Sequence, residues 1–257
     1  MRKLLLVATL AIVFVTDPAT ADPTAYVTGA NGEFGIMDLS TGGYTLLGDS
    51  SSDLTGLYNT LGGQLLGMDY ANQLVQVNPE NGALTVIGTG GGGLFTGLAN
   101  GSLFALPGYN VLDSVNPSTG ATTLIGSTGL SNVSSASSFG SDGVHLFLTI
   151  SVISHDGPDN LYSLNPTTGT ATLVGPTGVS CLSGSGVIGG TLYGFDDCNN
   201  GIYSLNTTTG AASLVATYSS SLEYINAAVA TPEPSSLATM VCAMIAVGLF
   251  VRRMPVR

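Results

Sequence analysis

Asp38-Leu39-Ser40-Thr41-Gly42, Asn78-Pro79-Glu80-Asn81-Gly82, Asn116-Pro117-Ser118-Thr119-Gly120, Asn165-Pro166-Thr167-Thr168-Gly169 and Asn206-Thr207-Thr208-Thr209-Gly210 align without gaps. Each is a turn by its chemistry. Asn or Asp opens it by bonding its own backbone, Pro presets φ, and Gly supplies a positive φ. The closing glycines are 40, 38, 49 and 41 residues apart, so the chain is built from one repeating unit.

Each turn joins two short β-branched or apolar runs, the signature of paired strands. Leu74-Val75-Gln76-Val77 precedes a turn, for example, and Thr85-Val86-Ile87-Gly88 follows it. A further strand lies upstream of every hairpin, from Ala25 in the first unit to Leu192 in the last. Four units begin with one more strand of small residues, as in Leu54-Thr55-Gly56-Leu57-Tyr58 and Gly184-Ser185-Gly186-Val187-Ile188. The first unit lacks it, and residues 222–230 supply a candidate at the other end of the repeat region. No stretch between 22 and 230 sustains a helical period.

Four strands per unit, a small-residue first strand and one strand displaced to the C-terminus point to an all-β fold. They fit a β-propeller of about five four-stranded blades, with the C-terminal strand closing the first blade. A lone four-stranded sheet cannot bury both faces, and radial packing leaves only short edges. At about 40 residues per blade, residues 22–230 accommodate roughly five. The repeats resemble propeller proteins generally, without a WD or kelch signature. An open β-array of the same units is the competing architecture.

The chain has 16 acidic and 5 basic residues, a formal charge of −11. The basic residues are Arg2, Lys3, Arg252, Arg253 and Arg257, so none lies from 4 to 251. This excludes nucleic-acid binding through phosphate neutralisation, a Schiff-base lysine and an arginine clamp. Hydrophobic residues make up 44%, enough for a packed core.

The ends read as targeting segments. Arg2 and Lys3, the apolar run Leu4 to Val15 and Ala19-Thr20-Ala21 make residues 1–21 a secretory signal peptide. The repeat domain then occupies 22–230, a Pro-Glu-Pro linker 231–236, and a transmembrane helix with basic tail 237–257. The uncharged stretch 237–251 just suffices to cross a hydrocarbon layer, and Arg252 and Arg253 keep its end cytoplasmic. Pro232-Glu233-Pro234, a short apolar helix and a terminal Arg cluster together resemble the PEP-CTERM sorting signal of Gram-negative bacteria. That resemblance covers only 231–257. It implies an exosortase-type membrane peptidase as partner, transient residence in the inner membrane, and export to the cell surface or extracellular matrix, often beside exopolysaccharide. It implies nothing about the domain in front.

In a propeller, the loops after each second strand and those between blades share one face, conventionally the binding face. The Pro-x-Thr-Gly turns fall on the opposite face as scaffold. The candidate face carries Asp69, Tyr109, His155, Asp156, Asp159, Asp196 and Asp197, together with Asn31, Asn72, Asn110, Asn160 and Asn200. These asparagines are either hairpin openers or a ring of carboxamides around one ligand. Asp69 with Asp196 or Asp197 could form the paired carboxylates of a glycosidase, and residues 154–160 could offer oxygens to Ca2+. No Ser-His-Asp triad can be assembled from His145 and His155. Cys181 and Cys198 fall on one face of the last blade, and an exported chain meets oxidising conditions, so a disulfide is expected between them.

The expected function is that of a non-enzymatic surface protein without cofactor or metal. It presents a binding face to polysaccharide or another surface molecule. The alternative is an extracellular glycan-cleaving enzyme that uses the loop carboxylates.

Overall fold

A computed structural model describes residues 23–131, 135–151, 157–219 and 222–232; residues 1–22 and those from Glu233 onward lie outside them. Among the described residues there are twenty strands in five sheets, each of four antiparallel strands. From hub to rim, the first blade is β20 (Ile225–Ala230), β1 (Thr24–Gly29), β2 (Glu33–Asp38) and β3 (Tyr44–Asp49). The second is β4 (Leu54–Asn59), β5 (Leu65–Asp69), β6 (Gln73–Val77) and β7 (Leu84–Thr89). The third is β8 (Leu94–Gly97), β9 (Leu103–Leu106), β10 (Val111–Val115) and β11 (Thr122–Ser127). The fourth is β12 (Ser135–Ser141), β13 (Leu146–Ser151), β14 (Asn160–Leu164) and β15 (Ala171–Pro176). The fifth is β16 (Leu182–Ile188), β17 (Thr191–Asp196), β18 (Gly201–Leu205) and β19 (Ala212–Thr217).

The inner strands β20, β4, β8, β12 and β16 touch in that cyclic order, and β16 returns to β20. The ring is therefore closed, and the protein is a five-bladed β-propeller. The latch is β20, paired with β1 from Ala25↔Ala230 to Thr28↔Ala227. It is shorter than the sequence predicts. The strand begins at Ile225 rather than 222, because Glu223 takes φ 50 and breaks the extended run.

Small residues at the hub have a steric cause. A Cβ added to Gly56 would collide with the Phe95 carbonyl of the next blade, and one on Gly184 with that of Ile225. Hydroxyls beside these glycines tie neighbouring blades: Thr55 Oγ1 donates to Gly93 O at 2.7 Å, and Ser183 Oγ to Ile225 O at 3.2 Å. Between blades the core is filled by side chains such as Phe34, Phe95, Phe195 and Met68, all fully buried.

The repeated turns follow one geometry. The Asx Oδ1 accepts the backbone N–H two residues on, at 2.8 or 2.9 Å in all five. Their glycines have φ between 72 and 83. The turns also join blades. A Cβ on Gly48, Gly88, Gly126 or Gly175 would collide with the turn of the following blade, at Asn81, Thr119, Thr168 and Thr209 respectively. In the last joint the roles reverse, and Gly42 lies against Thr217.

The five outer strands are edges, and every one carries a bulge at the same place. Leu47, Ile87, Ile125, Val174 and Val215 are each the extra residue opposite the third strand. A bulge twists an edge away from further pairing. That device is needed here because the residue just before it is an exposed Leu or Val in every blade: Leu46, Val86, Leu124, Leu173 and Leu214.

Candidate functional site

The two ends of the wheel differ. At the end where the inner strands finish, a cavity of about 310 Å3 lies on the axis, walled by all five inner strands. Leu57, Phe139, Val187, Ala228 and Val229 supply apolar wall. Two of its polar side chains are engaged within the fold: Tyr58 Oη donates to Leu98 O at 2.6 Å, and Asn59 Nδ2 to Ala230 O at 2.5 Å. Asp142 at its mouth meets His145 Nδ1 at 2.8 Å. Partial burial pushes the Asp142 carboxyl up, but hydrogen bonds from the His145 ring and from the His145 and Val144 amides pull it below the usual carboxylate range. This cavity is at the turn end, opposite the face the sequence favours, because residues such as Leu57 and Phe139 read there simply as core.

The other end is formed by the loops after each second strand and those between blades. The candidate carboxylates there are mostly engaged in their own turns. Asp69 is buried and accepts the Gln73 amide at 2.7 Å. Asp159 is fully buried and accepts the Leu182 amide at 2.8 Å. Asp196 is fully buried, with Oδ1 accepting from Cys198 N at 2.8 Å and Oδ2 from Asn199 Nδ2 at 3.1 Å. The asparagines behave as turn residues too: Asn31, Asn72 and Asn200 have φ of 60, 64 and 56. In the third blade Tyr109 takes the positive φ instead, at 67, and Asn110 follows in the right-handed region. His155 and Asp156 lie outside the described residues.

Cys181 and Cys198 form a disulfide across 17 residues, with Cα atoms 5.9 Å apart. It pins the loop entering β16 to the loop after β17. Asp196 and Asp197 approach these sulfurs, but sulfurs joined to each other offer no thiolate to a metal.

What the loop end does gather is tyrosine and acid. Tyr224 and Asp53 directly precede the inner strands β20 and β4, and Tyr70 and Tyr109 stand in the loops of the second and third blades. Partial desolvation first, then Tyr224, Asp53 and Tyr109, raises the Tyr70 phenol. Tyr224 is raised in the same way, by desolvation and then by Asp53, Glu223 and Asp197. Tyr70 is 62% exposed at this end. Tyr109 and Asp197 are expected at this end from the sequence; Tyr224, Asp53 and Glu223 are not. They belong to the loops between blades, and Tyr224 reads as part of a strand.

Charge is distributed unevenly between the ends. The loop end holds Glu33, Asp49, Asp53, Asp69, Asp159, Asp196, Asp197 and Glu223, whereas the turn end holds Asp38, Glu80 and Asp142. His145, the sole described side chain able to become cationic, is at the turn end.

No protein-family model matches the chain, and no curated protein matches it. Solved structures do. The chain is similar to one in the nidogen/laminin complex, with TM-score 0.52 and 10% identity over 81% of this chain and 98% of that one. It is also similar to a gluconolactonase from Xanthomonas campestris (TM-score 0.46, 10% identity, 77% of each chain). A third likeness is to BamB from Moraxella catarrhalis, with TM-score 0.35 and 12% identity over 76% and 58% of the chains. At these identities the likeness is one of fold.

Proposed function

We propose that this chain is an exported, non-enzymatic propeller, delivered to the cell surface or matrix by an exosortase-type system. It presents its loop end to polysaccharide or another surface molecule. The observation that carries the reading is the direction of exit. β20 runs toward the turn end and finishes at Ala230, which lines the cavity, so the described chain ends at Pro232 on that side. Thr24, which opens β1, is at the same end. A tail held in a membrane would thus turn the loop end away from the bilayer. An acidic face so placed also avoids repulsion by anionic lipid. The carboxylates that a glycan-cleaving enzyme would use, Asp69 and Asp196, accept backbone amides of their own turns, which supports the non-enzymatic reading.

The test is surface delivery. The full chain and a variant with Pro232, Glu233 and Pro234 all changed to Ala are expressed in a host with an exosortase-type peptidase. External protease should reach the parent and not the variant. Equal exposure of both would overturn the reading. Amine-reactive labels are unsuitable, since residues 4 to 251 contain no lysine.

A further inference from the structure

We propose that the axial cavity at the turn end binds a small uncharged molecule with an aromatic or alicyclic body and a hydroxyl or carbonyl head. This stands apart from the reading of the loop end. The first support is the shape and lining of the cavity. Its volume of about 310 Å3 is roughly twice the 150 Å3 or so that takes a benzene ring, and it reaches the lower bound, about 300 Å3, of small-molecule pockets. Leu57, Phe139 and Val229 give it apolar wall from three different blades. An apolar body seated there leaves water and covers that wall at once.

The second support is a pair of unused hydroxyls. Ser185 on β16 and Thr96 on β8 are only 7% and 6% exposed, both line the cavity, and neither side chain hydrogen-bonds to another part of the chain. A buried hydroxyl without a partner is costly, and such groups ordinarily meet one. Packing explains the size of Ser185 but not its oxygen. A Cβ on Gly140 would come within 2.8 Å of that Oγ, so the crowded hub asks for a small residue at 185, which Ala would be. The inner strands β8 and β16 flank β12 in the ring, so Phe139 lies between the two hydroxyls. Charge narrows the class. Asp142 stands at the mouth and no Lys or Arg lines the cavity, so a carboxylate or phosphate meets no counter-ion. A sugar would press most of its hydroxyls against apolar wall.

The test follows the fluorine NMR signals of three probes added to the full chain in a non-ionic detergent. They are para-fluorobenzyl alcohol, para-fluorotoluene, which lacks the hydroxyl, and para-fluorobenzoate, which is an anion. Each probe is compared between parent and variant at one detergent concentration, so partition into micelles cancels. The parent should bind the alcohol and not the benzoate. The double variant Ser185→Ala with Thr96→Val should bind the alcohol about fivefold or more weakly and para-fluorotoluene as the parent does. Val187→Phe, which fills part of the cavity, should lose both. If Val187→Phe does not fold, the hydroxyl double variant still decides. Failure of the parent to bind the alcohol would overturn the proposal, since water would then suffice for the two hydroxyls. So would unchanged alcohol binding by the double variant with its melting temperature retained, an equal loss of both neutral probes in that variant, or binding of the benzoate as tight as that of the alcohol.

Discussion

Thr231 donates its amide to the carbonyl oxygen of Thr24 at 3.1 Å, and the two hydroxyls meet at 2.6 Å. Residues 207 positions apart thus complete one sheet. Closing so long a loop costs chain entropy that grows only slowly with length, and the β20–β1 ladder offsets it. The same contact fixes where both ends of the propeller emerge.

The blade joints predict a sharp contrast among glycine variants. Gly88→Ala places a Cβ into the Thr119 carbonyl, whereas a Cβ on Gly101 would meet nothing within 4 Å. Gly101 has φ 87, so Ala there should cost about 1–2 kcal/mol of conformational strain. Gly88→Ala must separate two backbones and should cost about 3 kcal/mol or more. Urea unfolding of the two variants checks the order.

The disulfide closes a 17-residue loop. Denatured, unreduced protein should show one titratable thiol, that of Cys242. Cys198→Ser should lower stability by about 3 kcal/mol, the chain-entropy value for such a loop. Three titratable thiols would contradict the bridge.

Asp196 predicts a split between two substitutions. Its Oδ1 accepts amides from Cys198 and Asn199, so Asp196→Ala leaves two part-buried amides without their charged acceptor and should cost about 1–3 kcal/mol. Asp196→Asn keeps an acceptor and should cost less. Equal losses in thermal unfolding would mean that the charge, not the turn, is what matters.

Tyrosines set the alkaline limit. Burial first, and then the Glu33 carboxylate, pushes the Tyr44 phenol up to about 12. Burial raises Tyr218 as well, with Asp197 and Asp196 adding to it and a hydrogen bond with Asn200 opposing it. The unfolded chain ionises its phenols near about pH 10. Stability from these two groups is therefore intact below that pH and declines as pH rises toward the folded values. Absorbance near the phenolate band should show the other tyrosines titrating first, with Tyr44 and Tyr218 ionising only as the fold is lost. Uniform titration near pH 10 would contradict their burial.

The repeat made much of this fold readable. Asx-to-Gly turns such as Asn116 to Gly120 declare themselves through residues whose backbone needs are specific. Gly56 and Gly184 mark a crowded axis for the same reason. The joint between Gly88 and Thr119 was not readable, because it links blades that meet only once the ring has closed. Tyr224 escaped notice because Leu222 to Ala230 carries a plausible strand pattern, and nothing local announces the positive φ at Glu223. The axial cavity was hidden for a third reason: its wall is made of the residues that pack a core elsewhere along the same strands. His155, Asp156, Glu233, Pro234, Arg252 and Arg253 lie outside the described residues, so their expected roles rest on the sequence.

The closed wheel itself is tested most directly by hydrogen exchange of the native full chain, followed by mass spectrometry. Residues 225–230 should exchange as slowly as residues 24–29, since each strand pairs with the other and both would open only with the whole sheet. Fast exchange across 225–230, with 24–29 still protected, would show that the C-terminal strand does not latch the first blade.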